Sequence, residues 1–142
     1  MGGQREFAGS LGTQLVKVFE LAIARTGLRD QEAARAGLGP LAVESRGWDH
    51  KVYYPGAHEI LLRVTGDRRN GRLLGAQMVG HWQAQVAKRI DILAIALFHG
   101  MKIEELNDLD LSYTPPLGSP WDAVQAMRRR GSGSAGQVVQ GR

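Results

Sequence analysis

The chain has 142 residues, 43% of them hydrophobic and 23% charged, the balance of one globular domain. It has no cysteine, which excludes a disulfide scaffold, a thiolate metal site and a thiol nucleophile. The net charge of +4 traces to Arg128, Arg129, Arg130 and Arg142; residues 1–127 hold 14 basic and 14 acidic residues, so the basicity belongs to the C-terminal stretch.

Residues 1–9 read as a flexible lead-in without the apolar core of a signal peptide. Ser10 or Thr13 can cap a helix whose stripe is Leu15, Val18, Phe19, Ala22 and Ile23, ended by Gly27. Asp30 caps a short helical turn, "QEAARA", stopped by Gly37. From Pro40 the pattern turns to strands: "LAVES" and "HKVYYP" (50–55), with a bend or bulge at Gly47. Tyr53 and Tyr54 in such a strand face opposite ways. Residues 58–67 place Ile60, Leu62 and Val64 on one face. Asn70-Gly71 marks a hairpin turn, and residues 72–80 return with Leu74, Ala76 and Met78 on one face.

Residues 83–99 form a second long helix with an inner stripe of Val86, Ile90, Leu93, Ala94 and Leu97. Ile92, Ile95 and Phe98 widen that surface, and Gly100 ends it. Asp91 beside Lys88-Arg89 reads as an ion pair within this helix. "IEELNDL" is a short amphipathic turn. Pro115-Pro116 hold Tyr113 and Thr114 extended. "SPWD" then starts a final helix, with Ser119 as cap, Pro120 at its first position and Asp122 in its first turn, running to about Arg130. Residues 131–142 are rich in glycine, serine and glutamine and are expected to be disordered. The predicted fold class is α+β: a small antiparallel sheet of three to four strands packed against two long helices, with a short C-terminal helix.

The chemistry-bearing motifs are mostly absent. "GSGSAG" (131–136) matches G-x-G-x-x-G but lacks the strand before it and the helix after it, so it reads as a linker. His50, His58, His81 and His99 have no metal-ligand spacing. No G-x-S-x-G or phosphate-binding loop occurs. The longest apolar run, "ILAIALF" (92–98), is too short to span a bilayer, and a cytoplasmic protein without membrane contact is predicted. What remains is a pre-ordered aromatic segment, the kind of surface that docks another protein.

The stretches "YYPG" (53–56), "HEILLRVTGD", "GRLLGAQMVG", "AKRIDILAIAL" (87–97) and "IEELNDLDLSYTPPLGSPWDAV" (103–124) together resemble a known family. It is the C-terminal dimerisation domain of pyridine nucleotide-disulfide oxidoreductases, in the coenzyme A-disulfide reductase and NADH oxidase branch. "GTQLVKVFELAIARTGL" (12–28) fits its start, and "KRID" with "DLSYTPP" are the more specific motifs. The resemblance implies a dimerisation domain over residues 10–130, acting as a homodimer beside upstream FAD- and NAD(P)H-binding domains that carry the redox cysteine. No cofactor is expected on this chain, which alone should be inactive. Tyr53 and Tyr113 match the family's tyrosines that reach across the dimer as catalytic residues; Tyr54, Pro115, Pro116 and Trp121 are expected at the interface. Trp121 departs from the small or polar residues that follow the prolines in relatives. The alternative reading is a freestanding small protein binding nucleic acid, or another partner, through its basic tail. The neutral balance of residues 1–127 argues against nucleic acid.

Overall fold

The structure is a computed structural model and describes residues 6–125. The tail (131–142) and the part of the expected final helix beyond Gln125 lie outside the described residues. One five-stranded antiparallel sheet carries the fold, in the order β1-β2-β5-β4-β3. Its strands are β1 (Gln14–Val18), β2 (Leu21–Gly27), β3 (Pro40–Trp48), β4 (Glu59–Asp67) and β5 (Leu73–His81). A six-residue helix, α1 (Asp30–Arg35), links β2 to β3, and α2 (Val86–Phe98) follows β5. A 3₁₀ turn, Ile103–Asp108, comes after α2. The α+β class stands, with five strands rather than three or four and one long helix rather than two.

The largest departure is at residues 12–28, which form the β1–β2 hairpin instead of a helix. Phe19 at the turn has φ 51°, and Val18 pairs with Leu21. Leu15, Val18 and Ala22 satisfy a helical spacing, but Val16, Val18, Ile23 and Thr26 are β-branched residues suited to a pleated surface. Pairing decides the outcome: Leu21 to Gly27 lie against His81 to Gly75 of β5, burying Ala22, Ala24 and Thr26. A local propensity yields to seven residues of tertiary ladder.

Two further corrections concern register. Gly47 continues β3 opposite Ile60, with no bulge; there a Cβ would stand 3.2 Å from the Cβ of Ala123. The irregularity falls between Thr65 and Gly66, whose partners Gly75 and Leu73 skip Leu74. The skip reverses the expected facing, so Leu73 is buried and Leu74 only partly so.

One face of the sheet packs on α2. Ile60, Leu62, Val64, Ala76 and Met78 meet Val86, Ile90, Leu93 and Ala96, and Leu106 and Val124 close the edges of the core. Burying one such aliphatic side chain contributes about 1.5–3 kcal/mol. α2 starts at Val86, after Gln85 at φ 54°, and Gly100 (φ 65°) follows its end. On the opposite sheet face α1 covers one end, with Asp30 bonded to Arg63 and Glu32 to Arg25, and the other end is exposed. There Val16, Ile23, Val79 and Leu61 form one row across four strands.

Candidate functional site

Two loops meet beyond the Trp48 end of β3. The first spans Asp49 to His58 and is a run of turns rather than the expected strand "HKVYYP". Val52, Tyr53 and Tyr54 have strand propensity, but the Asp49 carboxylate takes the backbone N–H groups of His50 (2.9 Å) and His58 (2.8 Å). The Asp49 N–H donates to the His58 carbonyl, so the stem is closed from both sides. Tyr53 and Tyr54 therefore do not face opposite ways across a sheet; both are exposed, with ring centroids 5.1 Å apart.

The second loop runs from Leu109 to Gln125. The N–H groups of Leu117 and Gly118 both donate to the Thr114 carbonyl, a tight turn around Pro115-Pro116. Tyr113, just before it, is 46% exposed, against 70% for Tyr53. The expected Ser119 cap is replaced by Asp122. Its carboxylate accepts from Val124 N–H (3.2 Å), and the Gln125 side-chain oxygen accepts from Asp122 N–H (3.1 Å). This reciprocal pair closes a turn over residues 122–125, and the described residues from 119 to 125 form bends and turns rather than the expected helix. The Gln125 amide also donates to the Leu109 carbonyl at 2.7 Å, closing the second stem.

The loops touch through Lys51 N–H and the Pro115 carbonyl, 3.3 Å apart. Each of these residues is two positions from a tyrosine. Beside them lies an open cleft of about 290 Å³, lined in part by Trp48, His50, Lys51, Ser119 and Trp121. Of the sequence-predicted residues, the fold thus places Tyr53, Tyr54, Tyr113, Pro115, Pro116 and Trp121 on these two adjoining loops.

Beneath both stems sits Arg89 of α2, 1% exposed. It does not form the expected pair with Asp91. It turns inward, where Nε is 3.0 and 3.1 Å from the two Asp122 carboxylate oxygens and Nη2 is 2.9 Å from Oδ2. Its remaining donors reach the carbonyls of Ala84 (2.7 Å) and Asp49 (2.8 Å). Sequence reading missed this node, although a signal was present: Arg89 falls within the apolar stripe of Val86, Ile90 and Leu93, where a solvated charge has no place.

The strongly perturbed carboxylates lie elsewhere. Asp30 is pulled two ways: burial pushes its carboxyl up, but hydrogen bonds from Arg63 and Thr65 and the Arg63 charge hold it below the usual range. Arg63 also pairs with Glu44. Hydrogen bonding from the Arg29 side chain, with its backbone N–H and the nearby guanidinium charges, lowers Glu32 to about 2. Among the described residues no group of three His, Cys, Asp or Glu could hold a metal ion. No helix among the described residues is long and apolar enough to cross a membrane. The loops therefore offer phenolic hydroxyls, aromatic surface and one lysine.

Residues 13–124 match the family described as "Pyridine nucleotide-disulphide oxidoreductase, dimerisation domain". An NAD(P)H sulfur oxidoreductase (CoA-dependent) of Pyrococcus furiosus is 35% identical over 90% of this chain and 28% of its own length. A coenzyme A disulfide reductase of Staphylococcus haemolyticus is 37% identical over 83% of this chain and 26% of its own. Among solved structures, an NAD-dependent persulfide reductase from A. fulgidus superposes with a TM-score of 0.86 at 38% identity, covering 92% of this chain and 24% of that one. The chain thus spans about a quarter of the length of these relatives.

Proposed function

Because this chain belongs to the pyridine nucleotide-disulphide oxidoreductase dimerisation domains, we propose that it joins two subunits of a cytoplasmic FAD- and NAD(P)H-dependent sulfur or disulfide oxidoreductase and lends Tyr53 and Tyr113 to the partner's active centre. The observation that carries this reading is the pairing of two rigid loops, each presenting an exposed tyrosine, joined at Lys51 and Pro115. Besides the tyrosines, Val52, Leu117 and Trp121 on these loops and Trp48 at the end of β3 are exposed large apolar or aromatic side chains. Ile95 and Phe98 leave a second exposed apolar patch on α2. Surfaces of this composition suit a permanent subunit contact.

No strand among the described residues runs through a G-x-G-x-x-G turn into a helix, the unit that holds a dinucleotide pyrophosphate. In this reading both cofactors, and the thiol chemistry, belong to upstream domains. The chain's own part is limited to its hydroxyls. A phenol at the end of a rigid ring donates a hydrogen bond to sulfur as negative charge develops on it, and in a dry site that is worth about 3 kcal/mol. It binds and orients; it does not supply electrons.

The test is Tyr113→Phe in the complete enzyme, which keeps the ring and removes the oxygen. Turnover is expected to fall about tenfold or more with the dimer intact. Unchanged turnover in Tyr113→Phe and in the Tyr53→Phe, Tyr113→Phe double variant would reduce both residues to packing. Sedimentation of this chain at micromolar concentrations is expected to give a dimer; a folded monomer would overturn the subunit-joining role.

A further inference from the structure

We infer that Arg89 is a positioning residue: its guanidinium ties the stems of both tyrosine loops to α2 and so fixes Tyr53 and Tyr113 relative to each other. The inference rests on the reading that those tyrosines act at the partner's active centre, but its geometry stands independently of it.

Each loop is closed on itself. Asp49 and His58 exchange backbone and carboxylate bonds at the first stem; Gln125 reaches Leu109 at the second. Closed loops of this kind can still swing as bodies about their stems. Arg89 removes that freedom, because one planar group binds the Asp49 carbonyl of the first stem and the Asp122 carboxylate of the second. The bond from Nη1 to the Ala84 carbonyl anchors the guanidinium to the start of α2. Lys51 N–H to the Pro115 carbonyl then couples the loops nearer their tips.

The choice of residue supports geometry over stability. A buried ion pair contributes little net stability over an apolar pair of the same volume. What it adds is direction. Arginine presents its N–H groups in a fixed plane, matched here to two carboxylate oxygens and two carbonyls; lysine offers one point charge on a flexible stem. Asp122 also caps the turn that follows, so the same carboxylate sets the position of the second stem twice.

The sequence supplies its own probe. It has three tyrosines, Tyr53 and Tyr54 on the first loop and Tyr113 on the second. With 3-fluorotyrosine incorporated, each gives one ¹⁹F resonance, assigned by single Tyr→Phe changes. Arg89→Lys is expected to shift or broaden resonances from both loops. Should it fold poorly, Asp122→Asn, which keeps an oxygen for the Val124 N–H, is expected to do the same to a smaller extent. Leu93→Ala, on the same inner face of α2, is the control: it loses packing without touching either stem, and its tyrosine resonances should stay in place while it remains folded. Unmoved resonances in folded Arg89→Lys would overturn the inference, as would equal movement in Leu93→Ala.

In the complete enzyme, Arg89→Lys is expected to lower kcat about ten- to a hundredfold, as sub-ångström misplacement of a reacting group does, with a smaller change in KM. Loss through KM alone would overturn the positioning role in catalysis. Resonances that move while Tyr113→Phe keeps full turnover would overturn the catalytic reading of the tyrosine and leave the tether standing.

Discussion

Gly75 ends the ladder by which the β1–β2 hairpin joins β5, and a single methyl group there should damage the fold. A Cβ on Gly75 would stand 2.1 Å from the Leu28 carbonyl oxygen, 2.6 Å from its nitrogen and 2.8 Å from its carbonyl carbon. Ordinary contact begins near 3.4 Å, so the Leu28 backbone must withdraw by more than an ångström. It cannot do so freely, because Leu28 N–H donates to the Leu74 carbonyl at 2.9 Å and the neighbouring Gly27 N–H donates to Leu11 at 2.8 Å. Losing the Leu28–Leu74 bond costs about 1 kcal/mol. Overpacking adds about 1–3 kcal/mol, offset by about 0.5–1 kcal/mol because alanine restricts the unfolded chain. The net loss is about 2–3 kcal/mol, or a fall in Tm of roughly 6–10 °C for a chain of this size. Calorimetry at one fixed protein concentration measures it, since association also moves Tm. Gly39→Ala is the internal comparison: its Cβ meets nothing closer than 3.5 Å, so its Tm should hold or rise slightly. A Gly75→Ala variant that melts within about 2 °C of the parent would refute the reasoning, because a strain of over 1 kcal/mol cannot be hidden in so small a shift.

Arg89→Met should cost about 3–5 kcal/mol in urea unfolding, since it strands the buried Asp122 carboxylate. Adding Asp122→Leu should recover part of that loss but not all, because the Ala84 and Asp49 carbonyls still lack their donor; a double variant no better than the single would show that the charge pair is not the cause. Glu32 titrates at about 2 in the fold against an ordinary 4.5, so its contribution is complete above about pH 4.5 and disappears as pH falls toward 2. The urea midpoints of the parent and Glu32→Gln should therefore differ at neutral pH and converge over that interval; a gap constant from pH 7 to 2 would exclude the Arg29–Glu32 pair as its origin.

The elements legible in the sequence are those whose signals are local. Asn70-Gly71 fixes the β4–β5 turn, with Gly71 at φ 74°, and Gly100 marks the end of α2. β1 hid because it is an edge strand exposed at all five positions, so its side chains have no inside and outside to alternate between. The loop at Tyr53 and Tyr54 carries β-forming residues, yet the side chain of Asp49 takes the N–H groups a ladder would need. Leu74 was assigned the wrong face because a bulge is set by the partner strand. At the site, the tyrosines and prolines stood out by composition and by resemblance to the family. Arg89 stood out only within the "KRID" motif and not as a tether, since its partner Asp122 lies 33 residues away and only the folded chain joins them.

The strand order also fixes a schedule for synthesis. β3, β4 and β5 pair with their neighbours along the chain, but β2 reaches the sheet only through β5, where Leu21 faces His81 and Gly27 faces Gly75. A ribosome releases β2 long before β5 exists. Until then Leu21 and Ile23, already half-exposed in the finished fold, have no sheet to join. Closing that long loop carries a larger entropic cost than pairing strands adjacent along the chain. A nascent chain stalled between α1 and β5 would present an unpaired apolar hairpin, a ready target for chaperones or for another stalled copy.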